Sequence, residues 1–285
     1  MTKRVRCDVS IICANYNNGK FLNQFLESVR KSSVDPKELI VIDDGSEDNS
    51  LEILQNANML YLKVIALKTN MGFANALNKG IDVATGKYIL RIDPDDLMTR
   101  HRLEEQYEFL ERNNEFDIIG SNARYISGDA MKVLGESNFP LTEAEIINRY
   151  RKGEHGLLHG TVMAKTGLFK DNRYIQKNVP AEDYDIFSRM ILKGARPLNI
   201  NKVLTLVRIH EDSVSNDLPS STVKKTYHLR DELFNTKTSS FTVTINYLSL
   251  KYYRKYFFER NFIKKGLYLV ASAFFRPDKA LSKLF

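Results

Sequence analysis

The chain has 285 residues and a formal charge of +7, from 42 Lys+Arg against 35 Asp+Glu. Its 43% hydrophobic and 27% charged residues are typical of a soluble globular protein and exclude global disorder. Two cysteines exclude a disulfide framework or a cysteine-rich zinc site. The apolar run near residue 10 is too short for a signal peptide, and no run approaches the ~20 residues of a membrane-spanning helix. We therefore expect a reducing, cytoplasmic setting.

The charge is distributed unevenly along the chain. Residues 224–285 contain 13 basic and 4 acidic residues, a net of +9, so the total of +7 leaves −2 on residues 1–223. The same segment holds 14 of the 30 Phe and Tyr residues. The sequence therefore predicts a mildly acidic body followed by a basic, aromatic tail, and the overall charge describes neither part.

Strand and helix patterns alternate over the first 120 residues. Continuous apolar runs are typical of strands buried on both faces, and apolar residues three or four apart are typical of amphipathic helices. In chain order, the patterns predict a strand at 9–13, a helix at 21–29, a strand at 39–42, a helix from about 48, a strand at 61–67, a helix at 72–84, a strand at 87–92, a helix at 102–110 and a strand at 117–120. This alternation predicts a mainly parallel sheet flanked by helices, which binds ligands at the carboxyl ends of its strands.

The pattern becomes irregular after about residue 140. Thr142 and Glu145 have the spacing of a capping box, which predicts the start of a helix. The remaining patterns predict helices at 142–151 and 181–192, a strand at 203–209, a linker rich in Pro, Ser and Thr at 217–222, and helices near 223–234, 245–258 and 263–275. We therefore expect an α/β domain over residues 1–216 and a helical C-terminal region over residues 217–285.

Acidic residues follow two of the predicted strands. Asp93 and Asp95 lie two apart where Pro94 ends a strand, so their carboxylates could converge on one hard cation such as Mg²⁺ or Mn²⁺. A solvated acidic turn is the alternative. Asp43 and Asp44 end another strand, where they could accept hydrogen bonds from a base or a ribose. The alternative there is a turn that caps the next helix.

Three further motifs have both a structural and a functional interpretation. Asn70-Met71-Gly72 opens a helix and could hold an anion, or it could be a plain helix entry. Glu182-Asp183 starts a helix, where acids are favourable without any function, but a carboxylate there could also serve as a general base. Arg208-Ile209-His210 closes a strand and could supply a phosphate contact and a metal ligand, or be a surface pair.

The order and context of these motifs resemble the family 2 glycosyltransferases, which have the GT-A fold. The matching segments lie on the strands and loops that this family uses, and together they span roughly residues 8–215. They are residues 9–19, 40–48, 70–80, 84–89, 91–96, 158–163, 181–185 and 208–210.

The resemblance implies a role for each motif. It implies a nucleotide-sugar site formed by Ala14, Tyr16, Asp43, Asp44, Asn70, Asp93 and Arg208, with the choice between the two adjacent aspartates left open. It implies a site for Mn²⁺ or Mg²⁺ at Asp93 and Asp95, with His210 as a later ligand. It also implies that Asp183 is the general base, that Glu182 lies beside it, and that His159 lies near the acceptor.

The resemblance also implies an inverting reaction. Processive members of the family carry a Gln-x-x-Arg-Trp motif and membrane-spanning helices, whereas this chain has no tryptophan. We therefore expect a transferase that moves one sugar from a nucleoside-diphosphate sugar, with UDP favoured, to a hydroxyl of a saccharide or lipid-linked acceptor. The expected setting is the synthesis of bacterial surface polysaccharide.

Two other classes of protein remain open at this point. A nucleotidyltransferase can have a related sheet, but it would carry a glycine-rich, basic phosphate loop after the first strand, and residues 15–20 contain one glycine. A non-catalytic relative that binds a partner is the second alternative. The joint presence of Asp93, Asp95 and Asp183 counts against it.

The tail has three interpretations. Residues 251–258 place basic and aromatic side chains on adjoining helix faces, which is typical of a helix that lies on an anionic membrane surface at the inner face of the cell membrane. Alternatively, the rings pack on the body or on a second subunit while the basic groups stay in water. We do not expect a nucleic-acid partner, because the body is mildly acidic and no nucleic-acid motif is present.

Overall fold

A computed structural model describes residues 4–210, 219–259 and 261–277. The strands of the described chain are β1 (Arg6–Asn15), β2 (Asp35–Asp43), β3 (Leu62–Ala66), β4 (Tyr88–Arg91), β5 (Leu97–Met98), β6 (Ile118–Ser127), β7 (Val133–Glu136), β8 (Met163–Lys165) and β9 (Pro197–Ile209). The helices are α1 (Gly19–Arg30), α2 (Ser50–Asn56), α3 (Phe73–Val83), α4 (Arg102–Arg112), α5 (Glu143–Arg151), α6 (Thr166–Asp171), α7 (Glu182–Leu192), α8 (Ser220–Phe234), α9 (Ser240–Phe258) and α10 (Phe262–Phe275).

All the strands belong to one mixed sheet, in the order β3-β2-β1-β4-β8-β6-β9-β5, with β7 paired to β6. The strands β3, β2, β1 and β4 are parallel, whereas β8 is antiparallel to both β4 and β6, and β5 is antiparallel to β9. Helices flank the sheet, so the predicted α/β fold class is confirmed. The parallel part of the sheet is formed by the first ninety or so residues, in which strands and helices alternate. The antiparallel part is formed by the irregular sequence that follows.

The core forms where α1 packs on the parallel strands. The apolar runs of β1 and β2 are buried on both faces, as a central parallel strand requires. Leu22, Phe25 and Val29 project from one face of α1 into the same core. In the parallel sheet Asn15 pairs with Asp43 of β2, and Ile12 pairs with Arg91 of β4. The carboxyl ends of three strands are therefore neighbours at one edge of the sheet.

The chain forms two compact units. The first comprises Met1–Arg124 and Glu136–Arg208, and the second comprises Tyr125–Gly135 and Ile209–Phe285. The predicted boundary between residues 216 and 217 lies outside the described residues, as does the start of the predicted linker, so that boundary stays a prediction. The segment Tyr125–Gly135, which the sequence analysis did not associate with the tail, belongs to the second unit.

Helices dominate the described part of the tail, which confirms the predicted helical C-terminal region. In this unit α10 packs along α9, with the ring of Tyr252 stacked on Phe275 at a centroid distance of 6.0 Å. Tyr125 meets the ring of Phe257 edge-on at 5.4 Å. Across the described ranges, no helix has the length and apolar character needed to cross a membrane.

Candidate active site

The ends of β1 and β2 are joined by a network around Asp43. The Asn15 amide donates to Oδ2 of Asp43 at 2.8 Å, and the backbone N–H and hydroxyl of Ser46 donate to the same carboxylate at 3.0 and 2.7 Å. Asp43 is buried. Beside this network, Ala14 is nearly buried within β1, whereas the ring of Tyr16 is exposed on the following turn. Asp43 therefore shapes the turn, and Tyr16 is the side chain there that presents an open aromatic face.

Asp44 has a different local role from Asp43. Its two carboxylate oxygens accept hydrogen bonds from the backbone N–H groups of Met71 and Gly72, at 2.8 and 3.0 Å. Asp44 thus ties the end of β2 to the loop that precedes α3. The structure brings Asp43, Asp44 and Asn70 to one edge of the sheet, and which aspartate contacts a nucleotide stays a prediction.

The N-terminus of α3 already has internal partners. The side-chain carbonyl of Gln176 accepts from the N–H groups of Ala74 and Asn75 at 3.0 and 3.2 Å, and the Asn70 side chain accepts from Gly72 at 2.9 Å. The donors that were considered for an anion are therefore in use, which favours the plain helix entry. The sequence analysis missed Gln176, because a cap from about a hundred residues away leaves no local signal.

The acidic loop follows β4. Three carboxylates converge there: one oxygen from each lies within 4.8 Å of the others. They belong to Asp93, Asp95 and Asp96, and they form the candidate metal site among the side chains that the structure describes. The buried guanidinium of Arg91 forms a two-pronged ion pair with Asp93. Arg91 precedes Asp93 by two residues, so the period of an extended chain places both on one side. The two-residue spacing in the sequence therefore indicates the ion pair between Arg91 and Asp93.

Two further arginines hold the acidic loop. Arg208 donates its backbone N–H to Oδ1 of Asp96 at 2.9 Å and its Nε to the backbone carbonyl of Asp95 at 2.7 Å. The buried Arg102 supports the adjoining backbone, since it donates to the carbonyls of Arg91, at the end of β4, and of Gly160, both at 2.8 Å. The structure therefore brings the predicted phosphate contact Arg208 to the acidic loop, while the sequence analysis gave Arg102 no role.

The donor set of the acidic loop fits a hard divalent cation. All three groups are carboxylates, the ligands that Mg²⁺ and Mn²⁺ prefer. Burial, and then the charges of Asp95 and Asp93, raise the pKa of Asp96 well above its usual range. Burial also raises the pKa of Asp93, although Arg91 opposes this effect. The crowded negative charge is therefore only partly neutralised by the protein, and a bound cation would relieve it.

The carboxylates of Glu182 and Asp183 open α7. Burial would raise the pKa of Asp183, but the charge of His155 and a hydrogen bond from it outweigh burial and hold that pKa well below its usual range. The His155 Nε2 lies 3.3 Å from Oδ1 of Asp183. Burial, and then the charge of Asp183, raise the pKa of Glu182 to about 7. Asp183 is therefore ionised at neutral pH, as a general base must be.

The acidic loop and the start of α7 form one electrostatic site. The charge of Asp183 contributes to the raised pKa of Asp93, and the charge of Asp93 contributes to that of Glu182. These carboxylates could be predicted from the sequence, but His155 could not. A histidine 28 residues before its partner, on a loop without periodicity, gives no signal that sequence spacing can detect.

His159 is buried in an aromatic cluster. Its Nε2 lies 2.6 Å from the hydroxyl of Tyr174, and its ring meets Phe73 and Phe187 edge-on. Burial, and then the charge of Arg91, hold its pKa well below the usual range, so the ring is neutral. Its proximity to the acceptor stays a prediction. His210 belongs to the second unit, where it packs near Gly128, and its role as a metal ligand also stays a prediction.

The chain belongs to glycosyl transferase family 2, whose model matches residues 10–172. It is 28% identical over 236 residues to the uncharacterized glycosyltransferase MJ1057 of Methanocaldococcus jannaschii, with 80% of each chain covered. It is also 27% identical over 210 residues to the amylovoran biosynthesis glycosyltransferase AmsE of Erwinia amylovora, covering 72% of this chain and 78% of AmsE.

Two solved structures share the fold. TarS of S. aureus, residues 1–349, in complex with UDP-GlcNAc, superposes with a TM-score of 0.65 at 20% identity, covering 94% of this chain and 80% of that one. The mannosyltransferase PcManGT of Pyrobaculum calidifontis, in complex with GDP-Man and Mn²⁺, gives a TM-score of 0.60 at 16% identity, covering 98% and 81%. These similarities confirm the GT-A fold predicted from the sequence.

Proposed function

We propose that this protein is an inverting glycosyltransferase that adds one sugar to a hydroxyl of its acceptor and then releases it. The observation that carries the proposal is the cluster of Asp93, Asp95 and Asp96 in a chain that matches glycosyl transferase family 2, together with the carboxylate of Asp183 that His155 contacts. One group can bind the donor diphosphate through a cation, and the other can accept a proton. A cation-assisted inverting transfer uses both functions in one site.

The donor in this proposal is a nucleoside-diphosphate sugar, with UDP favoured. A GT-A neighbour binds UDP-GlcNAc and another binds GDP-Man with Mn²⁺, so either base is compatible with the fold. Asp93, Asp95 and Asp96 would hold Mn²⁺ or Mg²⁺. When bound, such an ion supplies positive charge that stabilises the departing diphosphate. Tyr16 is suited to the base because its ring is exposed beside the turn of Asp43.

In the proposed reaction the acceptor hydroxyl attacks the anomeric carbon of the sugar. The carboxylate of Asp183 takes the hydroxyl proton as the new carbon–oxygen bond forms. The bond from the anomeric carbon to the diphosphate breaks on the opposite face, and its electron pair leaves with the nucleoside diphosphate. The transition state has oxocarbenium character. Attack on one face and departure from the other invert the anomeric configuration.

His155 and Arg91 support the two reacting sides. His155 binds one oxygen of Asp183 and keeps this carboxylate ionised, which leaves the other oxygen to accept the proton. Arg91 fixes Asp93 through both of its carboxylate oxygens. These contacts orient the carboxylates before a substrate binds, so the reaction does not have to order them.

We also propose a saccharide or lipid-linked acceptor in the synthesis of bacterial surface polysaccharide, at the inner face of the cell membrane. The relative AmsE is named for the biosynthesis of such a polysaccharide, amylovoran. Two free, buried cysteines agree with a reducing compartment. No finding favours the nucleotidyltransferase alternative over a member of this family.

Release of nucleoside diphosphate from a panel of UDP- and GDP-sugars, with Mn²⁺ present, tests the proposed function. We expect hydrolysis or transfer with at least one UDP-sugar and a loss of this turnover when the divalent cation is chelated. Thermal shifts with the same panel identify which donor binds. Donor binding without turnover in the presence of a candidate acceptor mixture would instead support the non-catalytic alternative.

The acidic loop can be tested separately by calorimetry. Asp95→Ala removes one of three candidate cation ligands, so we expect the Mn²⁺-dependent affinity for UDP to fall by at least about 10-fold, the lower end of the loss caused by removing even an outer-shell partner. Asp171→Ala removes an exposed carboxylate at the end of α6 and is the matched control. Equal UDP affinity in wild type and Asp95→Ala would contradict the assignment of Asp95.

A further inference from the structure

An exposed apolar stripe runs along α10 in the second unit. Four side chains form it: Ile263, Leu267, Val270 and Phe274, with exposed fractions from 64% to 80%. At 3.6 residues per turn these positions fall within a sector of about 60°. Four exposed apolar side chains side by side are unusual on a helix that faces water, where exposed apolar residues are normally scattered.

The opposite face of α10 is packed within the same unit. Ser272 and Ser249 exchange hydrogen bonds between α10 and α9, at 2.9 and 3.2 Å. Tyr268 and Phe275 of α10 meet the ring of Tyr252 on α9. The hairpin therefore has its own internal contacts, and the stripe is a separate surface that these contacts leave open.

The charge around the stripe has one sign. Residues 240–275 contain six Lys and Arg residues and one acidic residue, Glu259. Lys264 lies about 60° around the helix from the edge of the stripe. Lys265 lies on the packed face, over the ring of Tyr256 at 5.1 Å. A positively charged hairpin with an open apolar stripe complements a surface that is apolar inside and anionic at its rim, which describes a bilayer containing acidic lipids.

We propose that the α10 stripe docks this protein on an anionic lipid surface. The helix has 14 residues, so it spans about 21 Å and suits a position in the plane of the lipid headgroups. A second copy of the chain fits the stripe less well. Four side chains are fewer than the roughly 20 residues per partner of a stable interface, and a two-fold contact would bring together two hairpins of the same positive charge.

Flotation of the full chain with phosphatidylcholine vesicles, with and without phosphatidylglycerol, tests this proposal. We expect the wild type to float with the anionic vesicles and to bind neutral vesicles at least about tenfold more weakly, because each basic residue near the surface contributes about fivefold in affinity. High salt should reduce the binding further. Equal binding to both vesicle types, or none, would overturn the proposal.

A pair of matched variants tests the stripe itself. Leu267→Gln with Val270→Gln should lower the affinity for anionic vesicles by at least about tenfold, because two inserted apolar side chains are lost. Val5→Gln with Leu60→Gln makes the same two changes at exposed sites of the first unit and should leave binding unchanged. Circular dichroism melting of both variants checks that they fold.

The oligomeric state distinguishes a lipid surface from a second copy of the chain as the partner of the stripe. In light scattering the wild type should have the same mass as the stripe variant. A wild-type dimer that the stripe variant converts to a monomer, together with unchanged vesicle binding, would assign the stripe to a second copy and overturn the membrane proposal. If the stripe variant does not fold, the lipid and salt dependence of the wild type still decides the question.

Discussion

Glu182 should reduce the stability of the protein at neutral and alkaline pH. Its carboxyl is buried at the start of α7 beside the charge of Asp183, and Oε2 has no hydrogen-bond partner among the side chains that the structure describes. Replacing it with glutamine removes the titrating group and keeps nearly the same shape. We therefore expect Glu182→Gln to be more stable than the wild type, by an amount that increases with pH.

The size of the effect follows from the pKa of Glu182, which burial and Asp183 raise from 4.5 to about 7. Below pH 4.5 the carboxyl is protonated in both the folded and unfolded states, so it has no effect on the free energy of unfolding. As the pH rises, the unfolded state loses its proton first, and the folded state is penalised. Linkage gives a cost of about 1 kcal/mol at pH 5 and about 3 kcal/mol at pH 8.

Urea denaturation of wild type and Glu182→Gln between pH 5 and pH 8 measures this difference. The variant should gain about 2 kcal/mol relative to the wild type across this range. Glu52→Gln, an exposed glutamate on α2, is the matched control and should show no such trend. In an Asp183→Asn background the gain should shrink, because the charge of Asp183 is part of its cause. A gain that is constant with pH, or absent, would show that the pKa of Glu182 is not raised by folding.

Two further predictions concern stability. Although burial opposes it, hydrogen bonds from Lys63, Ser10 and Thr85 lower the pKa of Glu38 to about 2, so Glu38→Gln should cost up to about 3 kcal/mol in urea denaturation at pH 7. The cost should diminish as the pH falls from 4.5 toward 2, and a constant cost would contradict it. Gly72→Ala should cost about 2 kcal/mol or more, because φ is +90° and the new Cβ would meet Gln176 at 2.4 Å. The helical control Gly167→Ala meets no atom within 4 Å and should be neutral or slightly stabilising in the same measurement.

The sequence predicted the regular part of the fold because its signals are local. The buried apolar runs of β1 and β2 and the amphipathic pattern of α1 identify their structures without reference to the rest of the chain. The strands β5 and β8, with two and three residues, are too short for any periodicity. Their existence depends on partners far away in sequence, so they could not be predicted from a local pattern.

The same distinction applies to the candidate site. Asp93, Asp95 and Asp183 were named from their positions at the end of a strand and the start of a helix. The partners that set their charge state, Arg91 and His155, were missed or given no role. Arg91 had a usable signal in its two-residue spacing from Asp93, but the contact of His155 exists only in the folded chain.

Asp183→Asn distinguishes a general base from a donor-binding residue when donor binding and sugar transfer are measured on the same preparation. We expect transfer to fall by about 10²- to 10⁴-fold while the affinity for the nucleotide sugar is nearly unchanged, because a general base acts in the transition state. Asp171→Asn should change neither quantity. Retained transfer in Asp183→Asn, with the loss appearing instead in Glu182→Gln, would contradict the assignment of the base. A parallel loss of donor binding in Asp183→Asn would contradict it equally.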